Sequence, residues 1–310
     1  MKAYGLFTVL ILEAVAFGQQ TNVESRRYDL NGNPVSGGST SELKNEAAGR
    51  TVRTEYGVDA NGQKIPLTST EETKVEQNGR TVTQQVIRHY DRNGNLTSSE
   101  RTLSEEQKVP GGKTEKQATV FRTDLNGNEV LDERLVTQSD GKTAVTEVQK
   151  RSMDGSLALA ERQTTVLEKL PNGSKSQSST FHKDNNGNLY EVERKVQETT
   201  TKGNQTLENA SKYVVRGDGQ FALQEQTVTA ATKLADGTVA KRIEVYGEQV
   251  PGVTNESGRP ALKEIQTVQS QKGSDGSVVE TTVSQKAEVT DNGRLSVAKV
   301  ISETITKTGK

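Results

Sequence analysis

The sequence of 310 residues contains no cysteine and no tryptophan, and only 4% of it is aromatic. Without cysteine there are no disulfide staples, no thiolate metal sites and no thioether-linked lipid anchor. Hydrophobic residues reach only 30%, against about 45–50% apolar content in an average domain when glycine is counted, which argues against a conventional two-domain enzyme with a compact core. Neither sign of charge dominates: 40 Lys and Arg stand against 41 Asp and Glu. No global field therefore draws the chain to nucleic acid or to an anionic membrane.

Long apolar runs are also missing, with one short exception. Met1 and Lys2 precede Gly5-Leu6-Phe7-Thr8-Val9-Leu10-Ile11-Leu12, and small residues follow at Ala14, Ala16 and Gly18. This is the layout of a secretory signal peptide, with residues 1–18 removed and Gln19 left as the new N-terminus. The run is too short to span a bilayer as a helix, which takes about 20 residues. No later segment is apolar for longer. The expectation is a soluble, secreted mature chain, extracellular or periplasmic, with no membrane span.

What is present is a repeat. Tyr28-Asp29-Leu30-Asn31-Gly32-Asn33 returns as Asp59-Ala60-Asn61-Gly62, Tyr90-Asp91-Arg92-Asn93-Gly94-Asn95-Leu96, Asp124-Leu125-Asn126-Gly127-Asn128 and Asp184-Asn185-Asn186-Gly187-Asn188-Leu189. Weaker copies stand at Gly155, Gly219, Gly258 and Gly293. A second, looser series of turns, centred on Gly49, Gly79, Gly112, Gly141, Gly173, Gly203, Gly237, Gly276 and Gly309, alternates with the first. Both series advance by about 32 residues, which makes about nine two-legged units. Asn-Gly supplies the positive φ of a tight hairpin turn, and legs rich in Thr, Val, Glu, Lys and Arg read as strands of about 10–12 residues. The fold class is therefore all-β, an elongated antiparallel hairpin repeat over 19–310, as a meander or open solenoid. Residues 19–55 are less regular and are expected to be partly disordered, above all near Gly37-Gly38-Ser39. Only 42–48 has a helical composition.

Counting from the first-series glycine exposes charged columns. Six residues on stand Glu100, Glu133, Glu161, Glu193, Glu225 and Glu264; seven on stand Arg101, Arg134, Arg162 and Arg194; five before stand Arg27, His89, Arg122, Lys150 and His182. Because side chains alternate along a strand, the Glu and Arg columns project from opposite faces. Equivalent charges two strands apart are separated by about 10 Å, near a Debye length. The bland reading is a solvated face. The functional reading is a periodic surface in which Arg101, Arg134, Arg162 and Arg194 contact a cell-wall polymer or another polyanion.

Other motifs carry less. Asp91-x-Asn93-x-Asn95 is half of a calcium loop, but glycine comes fourth instead of sixth and Leu135 stands where a closing Glu would follow Asp124. It reads as an unmetallated turn, and no metal or other cofactor is expected. Arg216-Gly217-Asp218 spells an integrin-type tripeptide on a hairpin tip, and Asn95, Asn172, Asn204, Asn209 and Asn255 head glycosylation sequons. His89 and His182 are about three units apart, and repeated surface carboxylates form no convergent acid–base pair, so no catalytic residue is assigned.

Tyr90-Asp91-Arg92-Asn93-Gly94-Asn95-Leu96 resembles the core of YD (Rhs-type) repeats, and 184–189 matches it without the Tyr. That resemblance, confined to the turn heptad, implies ribbons of β-hairpins in secreted or surface proteins; the family's repeats are shorter and richer in aromatics. The combined expectation is a non-enzymatic structural or interaction protein of the cell envelope or matrix. Its alternative is a carbohydrate- or polyanion-binding module using the Arg column. Free sheet edges would allow edge-to-edge self-association.

Overall fold

The computed structural model describes residues 20–28, 39–47, 49–58, 63–124, 127–184, 186–247, 260–275, 277–287, 295 and 300–309. The expected leader, residues 1–18, lies outside them, as do first-series turns at 29–38, 59–62, 248–259 and 288–294. The strands are β1 (Gln20–Tyr28), β2 (Ser39–Ala47), β3 (Arg50–Val58), β4 (Lys64–Gln77), β5 (Arg80–Tyr90) and β6 (Leu96–Val109). They continue as β7 (Lys113–Thr123), β8 (Glu129–Ser139), β9 (Thr143–Arg151), β10 (Leu157–Leu170), β11 (Gly173–Lys183) and β12 (Leu189–Lys202). The last six are β13 (Gln205–Val215), β14 (Phe221–Lys233), β15 (Val239–Gly247), β16 (Ala261–Lys272), β17 (Val278–Lys286) and β18 (Val300–Gly309). Residues 42–47, the stretch of helical composition, are strand because β1 and β3 hydrogen-bond to β2 on either side.

The hairpin legs of the sequence are thus real strands, each antiparallel to its neighbours in chain order, in one 18-stranded sheet. The open meander or solenoid is not what forms. β1 pairs with β18 from Gln20↔Gly309 to Tyr28↔Ile301 as well as with β2, so the sheet closes into a barrel. Closure removes the free edges on which self-association depended, and that expectation falls with them. The two turn series occupy opposite rims. Eighteen strands about 4.8 Å apart and tilted about 40° put opposite walls about 35 Å apart, backbone to backbone.

The turns hold the geometry that their residues demand. In the first series Asp91 N–H donates to the Asn95 carbonyl and Gly94 N–H to the Asp91 carbonyl, at 2.9 and 3.0 Å, and the loops at 124–128, 152–156, 184–188 and 216–220 repeat this. Gly94 and Gly187 sit at φ 81° and 88°, a region that other residues rarely adopt. Two second-series turns depart from their expected class: 234–238 and 273–277 are closed as the first-series loops are, by Leu234 N–H to the Thr238 carbonyl and Gly273 N–H to the Ser277 carbonyl. Gly173 is not a turn residue but the first of β11, where a Cβ would lie 1.8 Å from the Thr199 carbonyl oxygen.

Seven register breaks recur near the first-series rim, at Tyr56, Tyr90, Val148/Gln149, Phe121, Phe181, Tyr213 and Tyr246. In each, the even-numbered strand holds the extra residue, as with Asp132 in β8, Ala160 in β10 and Val192 in β12. The extra residue accounts for one of the three by which β10 and β12, at 14 residues, exceed β11 and β13, at 11. Bulges bend a strand and sharpen its twist, which is how a long sheet curls far enough to meet itself.

Cross-strand partners share a face, so the register sorts side chains into two sets. Thr81, Thr83 and Gln85 are half-buried while Val82 and Gln84 between them are exposed; in β13, Thr206, Glu208 and Ala210 are half-buried while Leu207 and Asn209 are exposed. Side chains crowd on the concave side of a cylinder and splay on the convex side, so the first set faces inward. Val120, Val148 and Val268, three of the few buried aliphatics, belong to it.

Candidate lumen wall and outer belt

The Glu column lies inward. Glu100, Glu133, Glu161, Glu193, Glu225 and Glu264 stand on β6, β8, β10, β12, β14 and β16, and the odd strands bring cations to the same face. The register sets Glu100 beside Arg122, Glu133 beside Lys150, Glu161 beside His182, Glu225 beside Lys212 and Glu264 beside Lys286. The Arg122 guanidinium reaches Glu100 at 3.0 Å, Asp132 at 2.8 Å and Glu133 at 3.7 Å. Lys195 and Lys212 both reach Glu193 at 3.0 Å. The result is an inner ring of alternating charge below the first-series rim. Side chains of Glu133, Glu193 and Glu264 are only 20%, 23% and 19% exposed, and each has a cation within ion-pair distance.

The Arg column lies outward, on the opposite face from the Glu column, as alternation requires. Its guanidiniums have partners. Arg101 forks onto Glu129 at 2.8 and 2.7 Å and lies 4.2 Å from the centre of the Phe121 ring. Arg194 forks onto Glu191 at 2.9 and 2.8 Å, 4.6 Å from Phe221. Arg162 binds Glu147, and Arg134 donates to the Gln117 side chain at 3.2 Å.

One outward feature is absent from the charge columns. Tyr56, Phe121, Phe181, Tyr213 and Tyr246 occupy one level of the odd strands, each next to a bulge, with Tyr90 nearer the rim. Leu131, Leu223 and Leu262 pair with Phe121, Tyr213 and Tyr246, and Leu159 stands opposite Gln149 at the same level. Together they form a narrow apolar belt, with the Arg column in register with it: Arg101, Arg162 and Arg194 are the cross-strand partners of Phe121, Phe181 and Tyr213. The signal was available: Tyr56, Phe121, Phe181 and Tyr213 each stand six residues before a first-series glycine. Phe221 and Tyr190 also lie near this rim, and the described strands carry no aromatic residue toward the other.

At the rim, the Asp of each described first-series turn is used by its own loop. Asp91 Oδ1 accepts the N–H groups of Asn93 and Asn95 at 2.8 Å, and Oδ2 accepts from the Asn95 side chain at 3.0 Å. These bonds, that from the Asn95 side chain first, hold the Asp91 carboxyl below the usual range. Asp184 is held low chiefly by the Asn188 N–H, and Asp154 by the Ser156 hydroxyl. In the tripeptide turn, Asp218 Oδ1 likewise accepts the Gln220 N–H at 3.0 Å. Among the described residues no three metal-ligating side chains converge. A hollow of about 330 Å³ beside Tyr246, Gly247 and Lys263 is open to solvent.

No family model matches the sequence, and no curated protein does. Solved structures do match the fold. The outer membrane protein OpdK from Pseudomonas aeruginosa superposes with a TM-score of 0.52 at 9% identity, over 94% of this chain and 98% of its own. The fold is shared with an outer-membrane protein. OpdL from the same organism gives 0.55 at 11% identity over 94% and 97%, and OccK2 (OpdF), solved in complex with glucuronate, gives 0.52 at 8% over 94% and 95%.

These findings correct the functional expectations. A freely secreted structural or interaction repeat protein, or a surface module for cell-wall polymers and polyanions, required an open sheet with both faces in water. The sheet is closed, and the likeness is to outer-membrane barrels. The expectation of no membrane span fails for a definite reason. It rested on the length of apolar runs, which detects helices, whereas a strand crosses in about 9–11 tilted residues. Among the described residues no helix is long and apolar enough to cross, which says nothing of a barrel.

Proposed function

We propose that the chain forms a water-filled, porin-like channel of an outer membrane and passes small polar solutes without catalysing a reaction. The observation that supports this most is the closed barrel with a charged ring on its inner face, because a polar lumen inside a strand-built wall is what a diffusion channel needs. The likeness to OpdK, OpdL and OccK2 fits this reading. Inner-ring charges balance in pairs, so the channel discriminates little between anions and cations.

The outer face is the demanding part of the proposal. Arg134 at the level of the belt, and Gln117 and Lys175 below it, project outward beside Val136, Val166 and Val196. Each Arg or Lys on a lipid face costs about 2–4 kcal/mol at the midplane and little near the interface. Refolded protein in planar bilayers tests the reading directly. Discrete conductance steps with near-equal anion and cation permeability are expected. Protein that stays in the aqueous phase and gives no steps overturns it.

A further inference from the structure

Four Asn-Gly pairs among the described residues, at 78–79, 93–94, 172–173 and 186–187, are alike in exposing the asparagine, but the backbone holds them differently. We propose that Asn78 is a site of spontaneous modification, converting to aspartate and isoaspartate, and that the Asp-headed turns of the first series protect Asn93 and Asn186 from the same reaction. This concerns the second-series rim and holds whether or not the barrel conducts.

The reaction is an internal acyl transfer followed by hydrolysis. The Gly79 nitrogen gives up its proton and attacks Asn78 Cγ; the N–Cγ bond forms, the Cγ–Nδ2 bond breaks, and Nδ2 leaves as ammonia with that proton. Water then opens the cyclic imide. Opening at Cγ leaves aspartate at position 78, and opening at the main-chain carbonyl leaves isoaspartate, with the backbone one methylene longer. Glycine favours the attack because no Cβ stands beside its nitrogen.

Attack needs the glycine N–H free and turned toward the asparagine side chain. Asn78 and Gly79 are the two loop residues between the paired Gln77 and Arg80, at φ 53° and 75°, which makes a type I′ turn. Among the described residues nothing hydrogen-bonds to the peptide group between them. That group can therefore flip toward type II′, in which ψ of the first loop residue moves to about −120°, while Gln77 and Arg80 stay paired. The flip swings the Gly79 nitrogen to the side on which Asn78 Cγ lies. The space beside Gly79 is open, so nothing bars the motion.

At the first-series turns the same flip breaks bonds. Gly94 N–H donates to the Asp91 carbonyl at 3.0 Å and Asn93 N–H to Asp91 Oδ1 at 2.8 Å. Gly187 and Asn186 are held in the same way by Asp184, at 3.0 and 2.9 Å. The carboxylate in each loop also opposes the negative charge that the glycine nitrogen develops as it loses its proton. Gly173 is fixed by other means: it pairs in register with both Leu170 and Thr200, and the Thr199 carbonyl crowds it.

Peptide mapping tests this on the parent chain. Folded protein, and the same protein in urea, are held at mildly alkaline pH, digested and mapped by mass spectrometry, with aspartate and isoaspartate products separated chromatographically. In the folded protein Asn78 should convert about tenfold faster than Asn93, Asn172 and Asn186, because freeing one held N–H slows attack by about that factor. In urea, where the turns are gone, the four rates should agree within about threefold. Equal rates at Asn78, Asn93 and Asn186 in the folded protein, or a tenfold spread that persists in urea, overturns the proposal. Asp91→Ala removes one turn carboxylate; it should raise conversion at Asn93 and leave that at Asn78 as it was. An unchanged rate at Asn93 overturns the protective role of the turn.

Discussion

At the residue scale, the turn aspartates show how a polar chain fixes its own shape. Gly94 and Gly187 supply the positive φ, and the Asp three residues before each ties the loop's N–H groups with one carboxylate. That carboxylate is worth most when ionised, because the N–H and amide donors around it favour the anion. The folded-state pKa values of Asp91, Asp154 and Asp184 are therefore depressed. Their contribution is fully present above the unfolded value of about 3.9 and is lost as pH falls through the lower folded values. The denaturant midpoint should accordingly be flat from neutral pH to about pH 5 and decline below about pH 4. Asp184→Asn should lower the midpoint at neutral pH and match the parent near pH 2. An equally wide gap between the two at both pH values would contradict this account of the turn.

At the element scale, the bulges bend the sheet. Deleting Ala160 from β10 removes the extra residue and lets Leu159 and Glu161 keep their partners Gln149 and Val148 in unbroken register, so what is lost is the local bend and twist by which the bulge helps the sheet to close. The deletion should cost about 1–3 kcal/mol in urea unfolding, against less than about 1 kcal/mol for Ala160→Gly, which keeps the residue count. Equal costs would mean that the bulge is incidental. The strands and their alternation were legible in the sequence because Asn-Gly turns and opposed columns such as Glu133 and Arg134 are local signals. Bulges at Asp132 and Val192 were not, since an unpaired residue leaves no mark in a sequence whose legs already vary in length. The pairing of Arg122 with three carboxylates was half legible: both columns were visible, but only the register shows that they interleave on one face.

At the scale of the whole molecule, the low hydrophobicity that argued against a compact core is also compatible with a wall one sheet thick around water. What the sequence could not disclose is closure, because the pairing of β1 with β18 joins residues at opposite ends of the chain. Neither strand carries a mark that distinguishes an edge from a seam. The absence of cysteine makes the seam directly measurable. Val23 and Thr306 are register partners across it, and partnered residues lie within the about 4.4–6.8 Å Cα separation that a disulfide spans. In Val23→Cys/Thr306→Cys, mild oxidation of dilute folded protein should give an intramolecular disulfide in most molecules, as efficiently as in the hairpin control Val196→Cys/Ser211→Cys. Free thiols or intermolecular dimers in the seam variant, with the control fully bridged, would show an open sheet and contradict the barrel.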